Sequence, residues 1–314
     1  MAASIGIALC PEHGRDATTL LRRADVAMYA AKRGGTGHAV YAPEQDAALP
    51  DRLSLLADLR QALAEGVLAL HYQPQLDLRT GRVVGVEALA RWPHPARGFV
   101  PPDQFIPLAE GMGLIGPLTN WVLETAIAQC RAWREAGRAV TVAVNISAAT
   151  LHDPRLPETI ERLLHTHGVA GRDLRLEVTE SAFMADPARA GVVLARLAAI
   201  GLGLSVDDYG TGYSSLAYLK RLPIDELKID RAFVRDMRRD EADRAIVAST
   251  VGLGHTLGLR VVAEGVEDQA TQEALAALGC DALQGYHLSC PLPAAKLETW
   301  LARGTHGALS SRNV

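Results

Sequence analysis

Two adjacent carboxylates, Asp207 and Asp208, follow an apolar run that contains Leu202, Leu204 and Val206, and they open a loop with two glycines. Neighbouring carboxylates repel one another, and their removal from water costs several kcal/mol each unless a cation is close. Such a pair at the end of a strand therefore indicates a metal site. A solvated acidic turn is the simpler interpretation for an isolated pair, so the rest of the chain must decide between them.

Acidic and amide side chains recur where other apolar runs end. Together with the first pair they form a set of five carboxylates and one amide: Glu87, Asn145, Glu177, Asp207, Asp208 and Glu264. These oxygen donors favour Mg²⁺ or Mn²⁺ over zinc or copper, and no histidine or cysteine occupies an equivalent position. The number of acids indicates two ions. Two ions roughly 3.5–4 Å apart are a common device for in-line displacement at a phosphodiester.

Three charged residues near these ends suggest further roles in such a reaction. Arg91 shares a strand face with Glu87 and can bind a phosphate in a bidentate manner. Lys228 is expected to hold the attacking water or a phosphate oxygen. Glu264 is a candidate general base, with service as a metal ligand alone as the alternative.

Four of the polar residues at strand ends also have ordinary structural explanations. Glu180 and Glu267 can each cap a helix or pair with an arginine. Lys228 can be a solvated lysine, and Gln284 a hydrogen-bonded amide of the core. Each explanation suffices for one residue, but none explains why the whole set recurs at successive strand ends.

Eight apolar strand candidates position these residues, and segments of helical periodicity separate most of them. The strands are predicted at residues 68–76, 83–90, 140–146, 174–178, 202–206, 226–229, 260–263 and 282–287. Only the first two are joined by a short turn, so they should pair antiparallel. The pattern predicts an α/β fold, a TIM-like (β/α)8 barrel with an antiparallel first strand. An open doubly wound sheet is the alternative, but it would normally need a glycine-rich phosphate loop, which is absent.

The chain is predicted to divide into four parts. Residues 1–41 form a small β-α-β fragment, too small to bury much core alone, which indicates the end of a larger domain. Residues 42–52, with two prolines, are predicted to be a linker. The barrel follows at 53–302, and residues 303–314 are expected to be a disordered tail.

Composition excludes several classes of protein. With 48% hydrophobic and 22% charged residues, the 314-residue chain is typical of soluble globular proteins. A net charge of −4 gives no basic surface for double-stranded nucleic acid. We expect no membrane segment, because the longest apolar run is too short to span a bilayer, and no secretion signal. Four scattered cysteines favour reduced thiols and a cytoplasmic location.

From about Leu53 to Leu301 the chain resembles the EAL domain family, the cyclic di-GMP phosphodiesterases of bacterial signalling. The resemblance rests on EALARW at 87–92, YQPQLDL at 72–78, VAVNIS at 142–147, LEVTES at 176–181, DDYGTGYSSL at 207–216, LKIDRAFV at 227–234, VVAEGVE at 261–267 and LQGYHLS at 283–289. It implies a TIM-like barrel, two Mg²⁺ or Mn²⁺ ions, and hydrolysis of cyclic di-GMP to linear pGpG. A cyclic di-GMP receptor or scaffold without activity is the alternative, and an unrelated barrel enzyme acting on another phosphoester is a third.

The same resemblance implies a role for each site residue. The metal ligands are Glu87, Asn145, Glu177, Asp207 and Asp208, with Glu264 at the second ion. Lys228 is the catalytic lysine, with Glu87 and Glu264 beside it. The residues that line the dinucleotide are Gln73, Leu89, Arg91, Asp230 and Gln284. Glu180 steadies the loop after Asp208, and we assign Glu267 to the same task.

Residues 1–41 resemble the C-terminal end of a GGDEF, or diguanylate cyclase, domain. The resemblance rests on ASIGIA at 3–8 and LLRRADVAMYAAKRGG at 20–35. The Gly-Gly-Asp-Glu-Phe turn itself is absent from the chain, so we expect no cyclase activity. The resemblance implies an upstream sensory or GGDEF region in the full-length protein, and the EAL family implies a homodimer.

Overall fold

The structure is a computed structural model that describes residues 4–34, 37–210 and 216–302. The predicted disordered tail, 303–314, lies outside the described residues, as do five positions of the DDYGTGYSSL motif, 211–215. The chain divides into two compact units, residues 1–67 with 100–114 and residues 68–99 with 115–314.

The first unit contains the predicted β-α-β fragment. Its elements are β1 (Ile5–Ile7), α1 (Ala17–Gly34), β2 (His38–Val40), α2 (Pro43–Glu65) and α3 (Pro102–Gly111). Strands β1 and β2 pair in parallel, and α1 packs on both.

The segment predicted as a linker, 42–52, has a different conformation, because α2 begins at Pro43 and continues through it. Pro43 lies in the first turn of the helix, where a proline loses no hydrogen bond, whereas Pro50 lies inside the helix and has no N–H to donate there. Alanine, glutamate, glutamine and leucine between the prolines are strong helix formers.

The second unit contains a closed barrel of eight strands. They are β3 (Ala69–Asp77), β4 (Val83–His94), β6 (Thr141–Ile146), β7 (Leu174–Thr179), β8 (Gly203–Tyr209), β9 (Glu226–Ile229), β10 (Arg260–Ala263) and β11 (Ala282–Gln284). Neighbours from β4 to β11 pair in parallel, whereas β3 is antiparallel to both β4 and β11 and closes the barrel. Two short strands, β5 (Gly98–Val100) and β12 (Leu292–Pro293), extend the sheet. The predicted barrel with its antiparallel first strand is confirmed, and the open sheet is excluded.

Helices follow most of the parallel strands. They are α4 (Ile115–Glu135), α5 (Ala148–Leu151), α6 (Leu156–His167), α7 (Glu180–Met184), α8 (Pro187–Ala199), α9 (Leu216–Leu219), α10 (Arg231–Asp236), α11 (Glu241–Thr256), α12 (Gln269–Ala277) and α13 (Ala294–Ala302). Asp186 caps α8, and its carboxylate accepts a hydrogen bond from the Arg189 N–H at 3.2 Å. In the part of the chain that is described, no helix has the length and hydropathy of a membrane span.

The pleat of the barrel strands separates an apolar outer face from a polar interior. On β9, Leu227 and Ile229 alternate with Glu226 and Lys228, and all four are fully buried. Ile229 belongs to an apolar core with residues of α11 and β10, such as Val251. Aliphatic side chains usually fill such barrels, so a charged interior is a first indication of function.

An ion pair forms the floor of this interior. Arg175 on β7 donates to the carboxylate of Glu226 on β9, and also to Asp225 at 2.7 Å. The arginine reaches across β8 because Gly203 lies in register with it there. A Cβ atom on Gly203 would lie 3.0 Å from the Arg175 Nε.

Candidate active site

Lys228 lies at the centre of the polar interior, and its side chain is 0% exposed. Its ammonium Nζ is 2.8 Å from Glu177 Oε2, 2.5 Å from Glu264 Oε1, 3.4 Å from Asp207 Oδ1 and 3.8 Å from Glu87 Oε2. Burial disfavours the charge on the ammonium, but the four carboxylates outweigh burial and raise the pKa of Lys228 well above its ordinary value. The lysine is therefore a permanent cation and not a solvated side chain.

One ammonium does not compensate four carboxylates. Burial, together with the neighbouring acids, raises the pKa of Glu177 well above its ordinary value. The same causes raise the pKa of Glu264 to about 8. Burial and the charge of Asp207 raise the pKa of Asp208 to about 6. The interior thus has an excess of negative charge that further cations would neutralise.

The acidic pair at the end of β8 has an unusual backbone. Asp208 has φ of 54°, and it is the one non-glycine residue with positive φ in the described ranges. Aspartate tolerates this region better than most residues, and such strain persists where the surroundings impose it. The turn leaves carboxylate oxygens of Asp207, Asp208 and Glu264 within 4.8 Å of one another. This group can hold one cation.

A second group of oxygen donors lies on β4, β6 and β7. The Asn145 Nδ2 donates to Glu87 Oε1 at 2.6 Å, and Asn145 is in register with Glu177. The Oε1 atom of Glu177 is buried and has no hydrogen-bond partner among the described residues. An unpaired buried carboxylate oxygen is costly, and a divalent cation would satisfy it. The donors therefore fit the predicted Mg²⁺ or Mn²⁺ ions.

The residues predicted to line a substrate lie on the same barrel strands or directly after them. Gln73 and Gln284 are buried in the interior, and Leu89 and Arg91 are half-buried on β4. Arg91 donates to the Ala90 carbonyl at 2.9 Å. Asp230 follows β9 and caps α10 by accepting from the Ala232 N–H at 2.6 Å. Its charge also contributes to the raised pKa of Asp208.

The two residues predicted to stabilise the loop after Asp208 differ in exposure and in hydrogen bonding. Glu180 is buried, and its Oε2 accepts from the Gly210 N–H at 3.3 Å, at the start of that loop. Glu267 is exposed and makes no hydrogen bond or ion pair with any described residue. Because 211–215 lie outside the described residues, the role of Glu267 stays a prediction.

A further candidate site residue, Gln75, lies outside the set that the motifs predicted. Gln75 on β3 is buried, and its Nε2 donates to the Oε1 of Gln284 at 3.0 Å. Its signal was the alternation of Gln73 and Gln75, which places both amides on the interior face of one strand.

Comparison with protein families identifies the barrel. The EAL domain family matches residues 56–291. The chain belongs to the EAL domain family. The diguanylate cyclase (GGDEF) domain family matches residues 1–38, which precede the EAL match.

Curated relatives of this EAL domain are longer proteins. The bifunctional diguanylate cyclase/cyclic di-GMP phosphodiesterase MucR of Pseudomonas aeruginosa is 48% identical over 95% of the chain and 44% of its own length. The cyclic di-GMP phosphodiesterase PdeR of Escherichia coli is 40% identical over 96% of the chain and 46% of its own length. The chain thus spans less than half the length of these relatives.

Solved structures match the EAL domain closely. A MucR phosphodiesterase in complex with cyclic di-GMP is 50% identical, with a TM-score of 0.76, over 78% of this chain and 99% of that one. The EAL enzyme Bd1971, bound to cAMP and cyclic di-GMP, is 29% identical, with a TM-score of 0.78, over 92% of this chain and 77% of that one.

Proposed function

We propose that this EAL domain is a metal-dependent phosphodiesterase that hydrolyses cyclic di-GMP to linear pGpG. The observation that carries the proposal is the buried Lys228 ammonium among four carboxylates, an arrangement that still has excess negative charge. The names of its relatives support the substrate, since MucR and PdeR are both named cyclic di-GMP phosphodiesterases.

Two Mg²⁺ or Mn²⁺ ions are part of this proposal. Their proposed ligands are Glu87, Asn145, Glu177, Asp207 and Asp208, with Glu264 at the second ion. When bound, the ions supply an activated water and stabilise negative charge on phosphate oxygens. Two features support them: the unpaired Oε1 of buried Glu177 and the close oxygens of Asp207, Asp208 and Glu264.

Side chains of the chain supply the remaining functions. Lys228 orients the attacking oxygen or a phosphate oxygen, and Glu264, whose Oε1 is 2.5 Å from the Lys228 ammonium, is the candidate proton acceptor. Arg91 binds a phosphate through its guanidinium. The dinucleotide is held by Gln73, Leu89, Asp230 and Gln284, and the loop after Asp208 by Glu180 and Glu267.

A chromatographic assay with an isosteric variant tests this function. The parent chain with Mn²⁺ should convert cyclic di-GMP to pGpG, and Glu87→Gln should lose at least a hundredfold in rate, because it removes a proposed ligand. The matched control is Glu241→Gln, at the exposed start of α11, which should retain full activity. If the parent binds cyclic di-GMP by calorimetry but forms no pGpG, the non-catalytic receptor becomes the better assignment.

The upstream region, the cellular location and the oligomeric state of this EAL domain are also proposals. The GGDEF match at 1–38 covers only the end of such a domain, which supports an upstream GGDEF or sensory region in the full-length protein. We propose a cytoplasmic location and a homodimer, with no binding of double-stranded nucleic acid. Light scattering of the purified chain tests the dimer, which a monomeric mass at micromolar concentration would contradict.

A further inference from the structure

Gln75 on β3 lies deep in the barrel without being one of the residues assigned a role above. It is 4% exposed. In the β3–β4 pairing it is in register with Gly85, and a Cβ atom on Gly85 would lie 3.0 Å from the Gln75 Oε1. The glycine on β4 thus leaves room for the glutamine side chain.

The amide of Gln75 begins a directed chain of hydrogen bonds. Its Nε2 donates to Gln284 Oε1 at 3.0 Å. The Gln284 Nε2 donates in turn to Gln73 Oε1 at 3.0 Å and to Glu87 Oε2. Gln73 completes the chain by donating to the Ser289 carbonyl at 3.0 Å. Each amide nitrogen in this series donates to the next residue, from Gln75 to the Ser289 carbonyl.

The direction of these hydrogen bonds determines which atom of the Gln284 amide faces Glu87. A carboxylate oxygen accepts hydrogen bonds only, so the nitrogen of Gln284, and not its oxygen, must face Glu87. An amide turned by 180° would place its oxygen against the carboxylate. The donor on Gln75 opposes that orientation, because its hydrogen bond requires the Gln284 oxygen on its own side.

We infer that Gln75 is a positioning residue for Glu87 that acts through the orientation of the Gln284 amide. With Oε2 of Glu87 held by Gln284 and Oε1 by Asn145, the carboxylate is fixed on both sides. Replacement of a group that holds a metal ligand in this way commonly lowers metal affinity or activity 10- to 100-fold. The consequence for catalysis rests on the proposed function, whereas the consequence for metal binding does not.

The test combines Gln75→Met, which keeps the length of the side chain but removes the donor, with Gln284→Met. Mn²⁺ binding is measured by electron paramagnetic resonance, and kcat and KM by hydrolysis of cyclic di-GMP. Gln75→Met should weaken Mn²⁺ binding about tenfold and lower kcat more than it raises KM. In the Gln284→Met background, the same substitution should change Mn²⁺ affinity less than twofold, because the residue that transmits the effect is gone.

Two further variants separate positioning from a general loss of stability. Gly85→Ala retains the Gln75 amide but crowds its oxygen, and should weaken Mn²⁺ binding in the same direction. Gln269→Met removes an exposed amide that donates to Glu273 at 2.9 Å, and should leave Mn²⁺ affinity unchanged.

The inference is overturned if Gln75→Met leaves Mn²⁺ affinity unchanged, or if its effect is equally large with and without Gln284. These outcomes are distinct from failure of the proposed function. A parent chain that binds Mn²⁺ but never cleaves cyclic di-GMP would contradict the function alone, while Gln284-dependent weakening by Gln75→Met would still support the positioning role.

Discussion

Replacing Lys228 with methionine removes the buried ammonium that four carboxylates share. This ammonium is 2.8 Å from Glu177 and 2.5 Å from Glu264. Methionine is similar in length but carries no charge, so the variant leaves buried carboxylates without their partner. Loss of one member of a buried ion pair costs about 3–5 kcal/mol. We expect the metal-free variant to be less stable than the metal-free parent by that amount.

Divalent ions should raise the stability of the variant back toward that of the metal-free parent. Ions that bind only the folded state stabilise it by about 2.7 kcal/mol at a hundred times their Kd. Because Lys228→Met removes a positive charge from the cluster, it should bind Mn²⁺ about tenfold more tightly than the parent, which adds about 1.4 kcal/mol. The proposed phosphodiesterase activity should nevertheless be lost in the variant.

Urea unfolding with EDTA and with Mn²⁺ measures both effects. The control is Lys296→Met, which removes an exposed lysine from α13 and should unfold like the parent in both conditions. Equal stability of Lys228→Met and the parent in EDTA, or weaker Mn²⁺ binding by the variant, would refute the view that the cluster lacks positive charge.

Three further predictions concern stability. Without divalent ions the folded chain should take up a proton on Glu264 as the pH falls below about 8, because burial and the neighbouring acids raise its pKa from 4.5 to about 8. The stability, measured as the urea midpoint, should therefore fall as the pH rises from about 5 to 8, and Mn²⁺ should abolish this slope. Gly203→Ala should displace Arg175 and lower the stability by about 1–3 kcal/mol. Gly191→Ala, at a position with open space around it, should be neutral or stabilising by up to about 1 kcal/mol. Denaturation curves that rank the two variants in the opposite order would contradict this prediction. Asp186→Ala should lose about 1 kcal/mol from the cap of α8 with unchanged kcat.

The barrel strands could be predicted from the sequence because each is a short apolar run that ends in polar residues. β9 and β10 have the predicted bounds, 226–229 and 260–263. Once the strands are parallel, their carboxyl ends meet at one mouth. The gathering of Glu177, Asp207 and Glu264 around Lys228 then follows from topology.

Contacts that depend on side-chain reach could not be predicted in this way. The floor pair of Arg175 and Glu226 skips the strand between them, which is possible only because Gly203 has no side chain. The role of Gln75 depends on which end of an amide faces a neighbour, and a sequence does not contain that information. The helix at 43–52 was missed because a proline at the start of a helix resembles a proline in a linker.

The antiparallel first strand has a consequence for the order in which the chain folds. β3 and β4 are adjacent in sequence, so their hairpin closes only a short loop. The pairing of β3 with β11 joins residues such as Gln75 and Gln284, which are 209 positions apart. Contacts of such separation are slow to form, so we expect this seam to close last. The hydrogen bonds from Gln75 through Gln284 to Glu87 cross that seam, and the candidate active site is therefore completed only when the barrel closes.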